Sequence, residues 1–228
     1  MITAISAAVL LTQQKPAAPP IEMKELQLVL LERPSNLAPM SPDAAGQLQK
    51  EHLGFLENLY QTRRALAVGP LEDKKVAGIV IMDVGTPDKA KSILANEPTI
   101  KAGRLKPVVL RWYAAANYFA KGPKFLDLEP LWFGLLSRTY TTFQMSKEES
   151  DALGTGHMAN INRMADMGIL KIAGPFVSEG KLRGVFVFNC DQETVLKETA
   201  QDPTISKGVL KLTLYRWYTA KGTFIVPK

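Results

Sequence analysis

The 228-residue chain repeats itself at an offset of 105 positions. Leu28–Arg33, "LVLLER", falls on Phe133–Arg138, "FGLLSR", and Met40-Ser41 falls on Met145-Ser146. His52 falls on His157, Gly69-Pro70 on Gly174-Pro175, and Glu97-Pro98-Thr99-Ile100 on Asp202-Pro203-Thr204-Ile205. Arg111-Trp112-Tyr113 falls on Arg216-Trp217-Tyr218. Between these matches the offset drifts by one residue, "AGI" at 77–79 against "RGV" at 183–185, as a loop change later undone would produce. A period this long is a whole small domain and not a solenoid repeat.

Each copy reads as strand, helix, strand, strand, helix, strand. The apolar runs Leu26–Leu31 and Leu131–Leu136 suit a strand buried on both faces. Ser41 before Pro42 marks a helix start in the first copy. In the second copy Ser146 with Glu149 three residues on forms a capping box. Leu53, Leu56 and Leu59, and then Met158, Ile161 and Met164, recur at helical spacing and are the expected buried faces. "ALAVGPL" and "VAGIVIMDV" flank the turn "EDKK", as "LKIAGPFV" and "LRGVFVFN" flank "SEGK". A short second helix is expected over roughly Pro87–Ala95 and Gln192–Ala200, ending where proline disfavours helical geometry in the preceding residue. The last strands carry the two Arg-Trp-Tyr triplets.

This order is the split βαβ of a ferredoxin-like unit. Its helices cover one sheet face and leave the other bare, while the last strands carry large side chains on both faces. The expected class is therefore α+β, two tandem ferredoxin-like (βαββαβ) units packed sheet to sheet as an internal pseudo-dimer. The expected division is a leader at 1–20, a first unit at 21–120, a linker at 121–130 and a second unit at 131–228. The apolar, then Pro/Ala-rich leader reads either as an export signal lacking a positive n-region or as a disordered cytoplasmic segment, and it is too short to span a membrane as a helix.

Composition narrows the chemistry. A net charge of +6 permits anionic ligands, but the Lys and Arg residues are scattered and form no nucleic-acid-binding tract. The single cysteine, Cys190, excludes an internal disulfide and a CxxC site, and with two histidines a His/Cys zinc site is poorly supplied, so no metal or other cofactor is expected. No G-x-S-x-G elbow supports a nucleophilic triad, and "GTG" at 154–156 lacks the GK[ST] of a phosphate loop.

An early His on the first helix, a Gly-Pro in the second strand, and an acid-Pro-x-Ile-x-x-Gly stretch after the second helix resemble the YCII-related domain family, of the dimeric α+β barrel group. The resemblance covers about 21–120 and 125–228. The second copy carries His157, Gly174-Pro175, Asp202-Pro203 and Gly208; the first carries His52, Gly69-Pro70 and Gly103, with Glu97 in place of Asp. The aromatic that often follows the Asp-Pro dipeptide in that family is Thr204 here, and Thr99 in the first copy. The resemblance implies a His–Asp acid/base pair, His157 with Asp202, and its counterpart His52 with Glu97; one relative eliminates halide from an aromatic substrate.

The residues themselves carry part of that implication. His157 precedes Ile161 by four positions and Met164 by seven, so it shares a helix face with core residues. A half-buried imidazole needs a partner, which a carboxylate after the second helix would supply. Arg111 and Arg216, mid-strand among apolar residues, each require a carboxylate of protein or ligand and, with Ser206, are the candidate substrate-binding residues. The functional expectation is a cofactor-free lyase or isomerase moving a proton on a small metabolite, within one chain or a further homodimer. The alternative is a small-ligand-binding or structural module in which the same residues tie helix to sheet. In the enzymatic reading His157 is the base and Asp202 its orienter, with His52 and Glu97 a degenerate second site, and the Asp-to-Glu exchange marks 125–228 as the half expected to keep a working site.

Overall fold

A computed structural model of the chain describes residues 21–139, 145–177 and 180–225. The expected leader at 1–20, two residues of the "SEGK" turn and the last three residues lie outside the described residues. The first unit runs β1 (Met23–Glu32), α1 (Pro42–Gln61), β2 (Ala65–Pro70), β3 (Val76–Met82), α2 (Pro87–Leu94), α3 (Pro98–Lys101) and β4 (Lys106–Ala115). The second repeats it as β5 (Leu128–Arg138), α4 (Lys147–Asp166), β6 (Leu170–Pro175), β7 (Leu182–Phe188), α5 (Gln192–Thr199), α6 (Pro203–Ser206) and β8 (Leu210–Ala220). The strand orders are β2-β3-β1-β4 and β6-β7-β5-β8, every neighbour antiparallel.

Alternation along β1 divides the core. Leu26, Leu28 and Leu30 point to the space between the sheets, where they share one cluster with Leu131, Phe133 and Trp217 of the second unit. Val29 and Leu31 point the other way, against Leu56, Leu59 and Leu94 of the helices. Each long helix begins as its sequence dictates. Ser41 Oγ accepts from the Ala44 N–H at 3.3 Å, and Ser146 and Glu149 complete a reciprocal capping box.

The two Gly-Pro dipeptides and the two Arg-Trp-Tyr triplets meet at the seam between the units. Trp112 Nε1–H donates to the Gly174 carbonyl at 3.0 Å, and Trp217 Nε1–H donates to the Gly69 carbonyl at 3.3 Å. A Cβ on Gly69 would lie 1.7 Å from the Tyr218 carbonyl oxygen, and one on Gly174 2.1 Å from that of Tyr113. Backbone bonds from Glu72 N–H to Arg216 O and from Val177 N–H to Arg111 O continue the seam. Each sheet's edge strand thus meets the other's, closing the pair into a barrel.

Two details differ from the sequence reading. The second helices end at Leu94 and Thr199, within one residue of the expected ends, and Pro98 and Pro203 then open separate one-turn helices that the sequence reading did not include. Met158, placed on the buried face by its spacing, is 52% exposed; Leu153, Asn160 and Met164 are the buried positions of α4.

Candidate functional site

His52 and His157 sit at equivalent places on the inward faces of α1 and α4, and the acids that meet them cap the one-turn helices. His157 Nδ1 lies 2.6 Å from Asp202 Oδ2. Asp202 Oδ1 accepts from the Thr204 N–H at 2.9 Å and from Thr204 Oγ1 at 2.6 Å. His52 Nδ1 lies 2.8 Å from Glu97 Oε1, which also accepts from the Thr99 N–H at 3.1 Å. Glu97 Oε2 accepts from Thr99 Oγ1 and from the Ile100 N–H. The longer acid of the first unit therefore reaches the same partners as the aspartate of the second.

Both carboxylates are fully buried. Burial by itself raises their pKa, but hydrogen bonds from the histidine, the threonine hydroxyl and the backbone outweigh it, so both carboxyls titrate below their ordinary values. An ionised carboxylate only accepts, so each neutral imidazole carries its proton on Nδ1 and leaves Nε2 as a base. Neither Nε2 has a hydrogen-bond partner among the described residues.

Each imidazole lines a cavity between its long helix and the outer sheet face. The cavity beside His52 holds about 490 Å³ and that beside His157 about 360 Å³. Their walls correspond: Leu31 with Leu136, Leu56 with Ile161, Gly69-Pro70 with Gly174-Pro175, Leu105 with Leu210. Each is completed by the opposite unit, the first by Leu126 and Leu128, the second by Ile21 and Met23. Where the first has Val80 the second has Phe186, whose ring stacks on the His157 imidazole at 6.0 Å. A cavity thus opens beside His157, and a core aromatic occupies part of that space.

The other candidates lie elsewhere. Arg111 forms a two-pronged ion pair with Glu25, at 2.9 and 2.6 Å. The Arg216 guanidinium lies over the Trp132 ring at 4.9 Å, and Ser206 is exposed at the end of α6. None of the three lines either cavity. The cations that do are Arg33 and Arg104 in the first, Lys171 and Arg183 in the second. Nothing in their local sequence marks them, because the turns and strands that gather them are distant in the chain. Among the described residues, no group of three or more His, Cys, Asp or Glu is placed to hold a metal ion, and no helix is long and apolar enough to cross a membrane.

Comparison with known proteins bears on the fold and on the first unit. No curated protein matches the sequence. A novel heme-binding protein from Thermus thermophilus matches the structure with a TM-score of 0.56 at 11% identity, covering 91% of this chain and 96% of its own. A protein provisionally named a chlorite dismutase matches with a TM-score of 0.56 at 10% identity, covering 88% and 97%. At such identities the likeness shows the fold, the dimeric α+β barrel, and nothing about ligands. The YCII-related domain model matches residues 26–112, β1 through the Trp of the first Arg-Trp-Tyr triplet. Residues 26–112 therefore match a YCII-related domain, and the second unit repeats its strand order.

Proposed function

We propose that the protein is a cofactor-independent acid/base enzyme of lyase or isomerase type, acting on a small carbon acid bound beside His157 or His52. The observation that supports this is the doubled arrangement of a cavity-lining imidazole whose Nδ1 is held by a buried carboxylate while Nε2 has no partner among the described residues. Nε2 takes the substrate proton. The Nδ1–H bond to Asp202 or Glu97 stabilises the imidazolium that forms, and the acid stays ionised because its other hydrogen bonds hold it so. The apolar walls keep water from the reacting carbon.

A second reading is favoured by the caps. Asp202 and Glu97 accept the first N–H groups of α6 and α3, so each pair ties a long helix to the corner before the last strand whether or not it transfers protons. Deuterium wash-in separates the two. A panel of enolisable and β-substituted carboxylic acids, incubated with the protein in D₂O and followed by NMR, should include substrates whose α-proton exchange is catalysed. His157→Gln or His52→Gln should slow that exchange by about 10²- to 10⁴-fold at its own site. Exchange unchanged in the folded double variant would leave only the structural role.

A further inference from the structure

The cavity beside His52 is lined by leucines, valine, isoleucine and Phe125, with Arg33, Arg104 and His52 its titratable residues; among the described residues no Asp or Glu lines it. Arg33 gives Nη1 to the Asp73 carbonyl at 2.8 Å, and Arg104 gives Nη1 to the Ala38 carbonyl at 2.6 Å. Among the described residues neither guanidinium meets a carboxylate, so most of their N–H donors have no protein acceptor. The cavity beside His157 has the same character, with Lys171 and Arg183 and, among the described residues, again no Asp or Glu in its walls.

Arg33 is repeated as Arg138, which does not line the second cavity, while the counterparts of Arg104, Lys171 and Arg183 are the apolar Val209, Leu66 and Ala77. Three of the four cavity cations are thus not copies of one another, so a shared structural requirement of the repeat does not account for them. A volume of about 490 Å³ falls within the range of small-molecule sites, about 300–1,000 Å³.

Resting on the reading that these cavities bind substrate, we infer that each takes an apolar carboxylate, its hydrocarbon body against the leucine-rich wall and its acid group on a lining cation: Arg33 and Arg104 in the first unit, and Lys171 or Arg183, which stand at opposite ends of the β6–β7 pairing, in the second. Guanidinium forks suit the two carboxylate oxygens, and the neighbouring imidazole then faces the bound molecule. The exposed apolar residues Leu126 and Leu128, and Ile21 and Met23, line the cavities from the opposite unit and extend the apolar contact.

Calorimetric titration of the intact chain with octanoate, and with octanol as the uncharged match, tests the assignment. Octanoate should bind at two sites per chain and octanol at least about tenfold more weakly, the loss of charge-assisted hydrogen bonds. Arg33→Gln with Arg104→Gln should remove one octanoate site while leaving octanol unchanged, and Lys171→Gln with Arg183→Gln the other. Arg104 also anchors the Ala38 segment, so Arg33→Gln alone, at an exposed position, serves as the variant that leaves the fold intact; it should weaken one site about tenfold. Equal affinity for the two probes, two sites retained in Arg33→Gln/Arg104→Gln, or no octanoate binding would each overturn the inference. The double His→Gln variant should still bind octanoate, so loss of proton exchange and loss of anion binding are separate failures.

Discussion

Asp202 and Glu97 release their protons more readily than ordinary carboxyls, because what each gains from its histidine, threonine and backbone donors exceeds the cost of burial. A carboxyl whose pKa is lowered on folding binds fewer protons folded than unfolded. Its contribution is therefore complete above the unfolded value, about 4, and is lost as pH falls through the folded one. Denaturant unfolding between pH 6 and pH 3 should show this loss, and the Glu97→Gln/Asp202→Asn variant should show a flatter dependence. At pH 6 each substitution should cost about 1–3 kcal/mol, the worth of a hydrogen bond to a charged group together with the donors left unpaired. An unchanged pH slope would mean that the carboxylates are not held ionised by these bonds. The pairing partners were legible in the sequence because His and acid recur together in both copies, 45 residues apart. The cavity cations were not. Arg33 follows β1 and Arg104 follows a turn after α3, and only the tertiary fold brings both into the lining of one cavity.

At the scale of elements, Gly69 and Gly174 are where strands from different units come closest. Alanine at either must push away a backbone carbonyl, which no rotamer change relieves. Gly69→Ala and Gly174→Ala should each cost at least the upper end of the about 1–3 kcal/mol typical of overpacking, read from denaturant midpoints. Gly46 and Gly54 on α1 have nothing within 4 Å of such a Cβ, so alanine there should be neutral or stabilising by up to about 1 kcal/mol. Comparable effects at all four positions would contradict the seam. Periodicity and capping signals foretold β1, α1, α4 and the second helices closely, since those rest on local physics. The one-turn helices opened by Pro98 and Pro203 were not read from the sequence, because a proline that stops one helix also suits the first turn of the next. Met158 misled because its spacing fits an apolar stripe wider than the one that packs; the residues turned to the core from α4 include the polar Asn160, whose Nδ2–H donates to the Glu198 carbonyl.

For the whole molecule, duplication supplies what one unit lacks. The inner faces of the two sheets cover each other, the two tryptophans reach across to the opposite glycine carbonyls, and each cavity is finished by the other unit's first strand or the residues before it. That the bare sheet face needed a partner was legible from the doubled topology. That each site would be built from both units was not, since it depends on where Ile21, Met23, Leu126 and Leu128 come to rest. The chain contains two histidines, one in each unit, so a single spectrum reports on both sites. Long-range ¹H–¹⁵N correlation of the imidazole rings at alkaline pH distinguishes the Nδ1–H from the Nε2–H tautomer. The paired carboxylates require Nδ1–H with an unprotonated Nε2 in both His52 and His157, and Asp202→Asn should disturb only the second. Nε2–H tautomers in the intact protein would contradict the claim that both units present a base to their cavities.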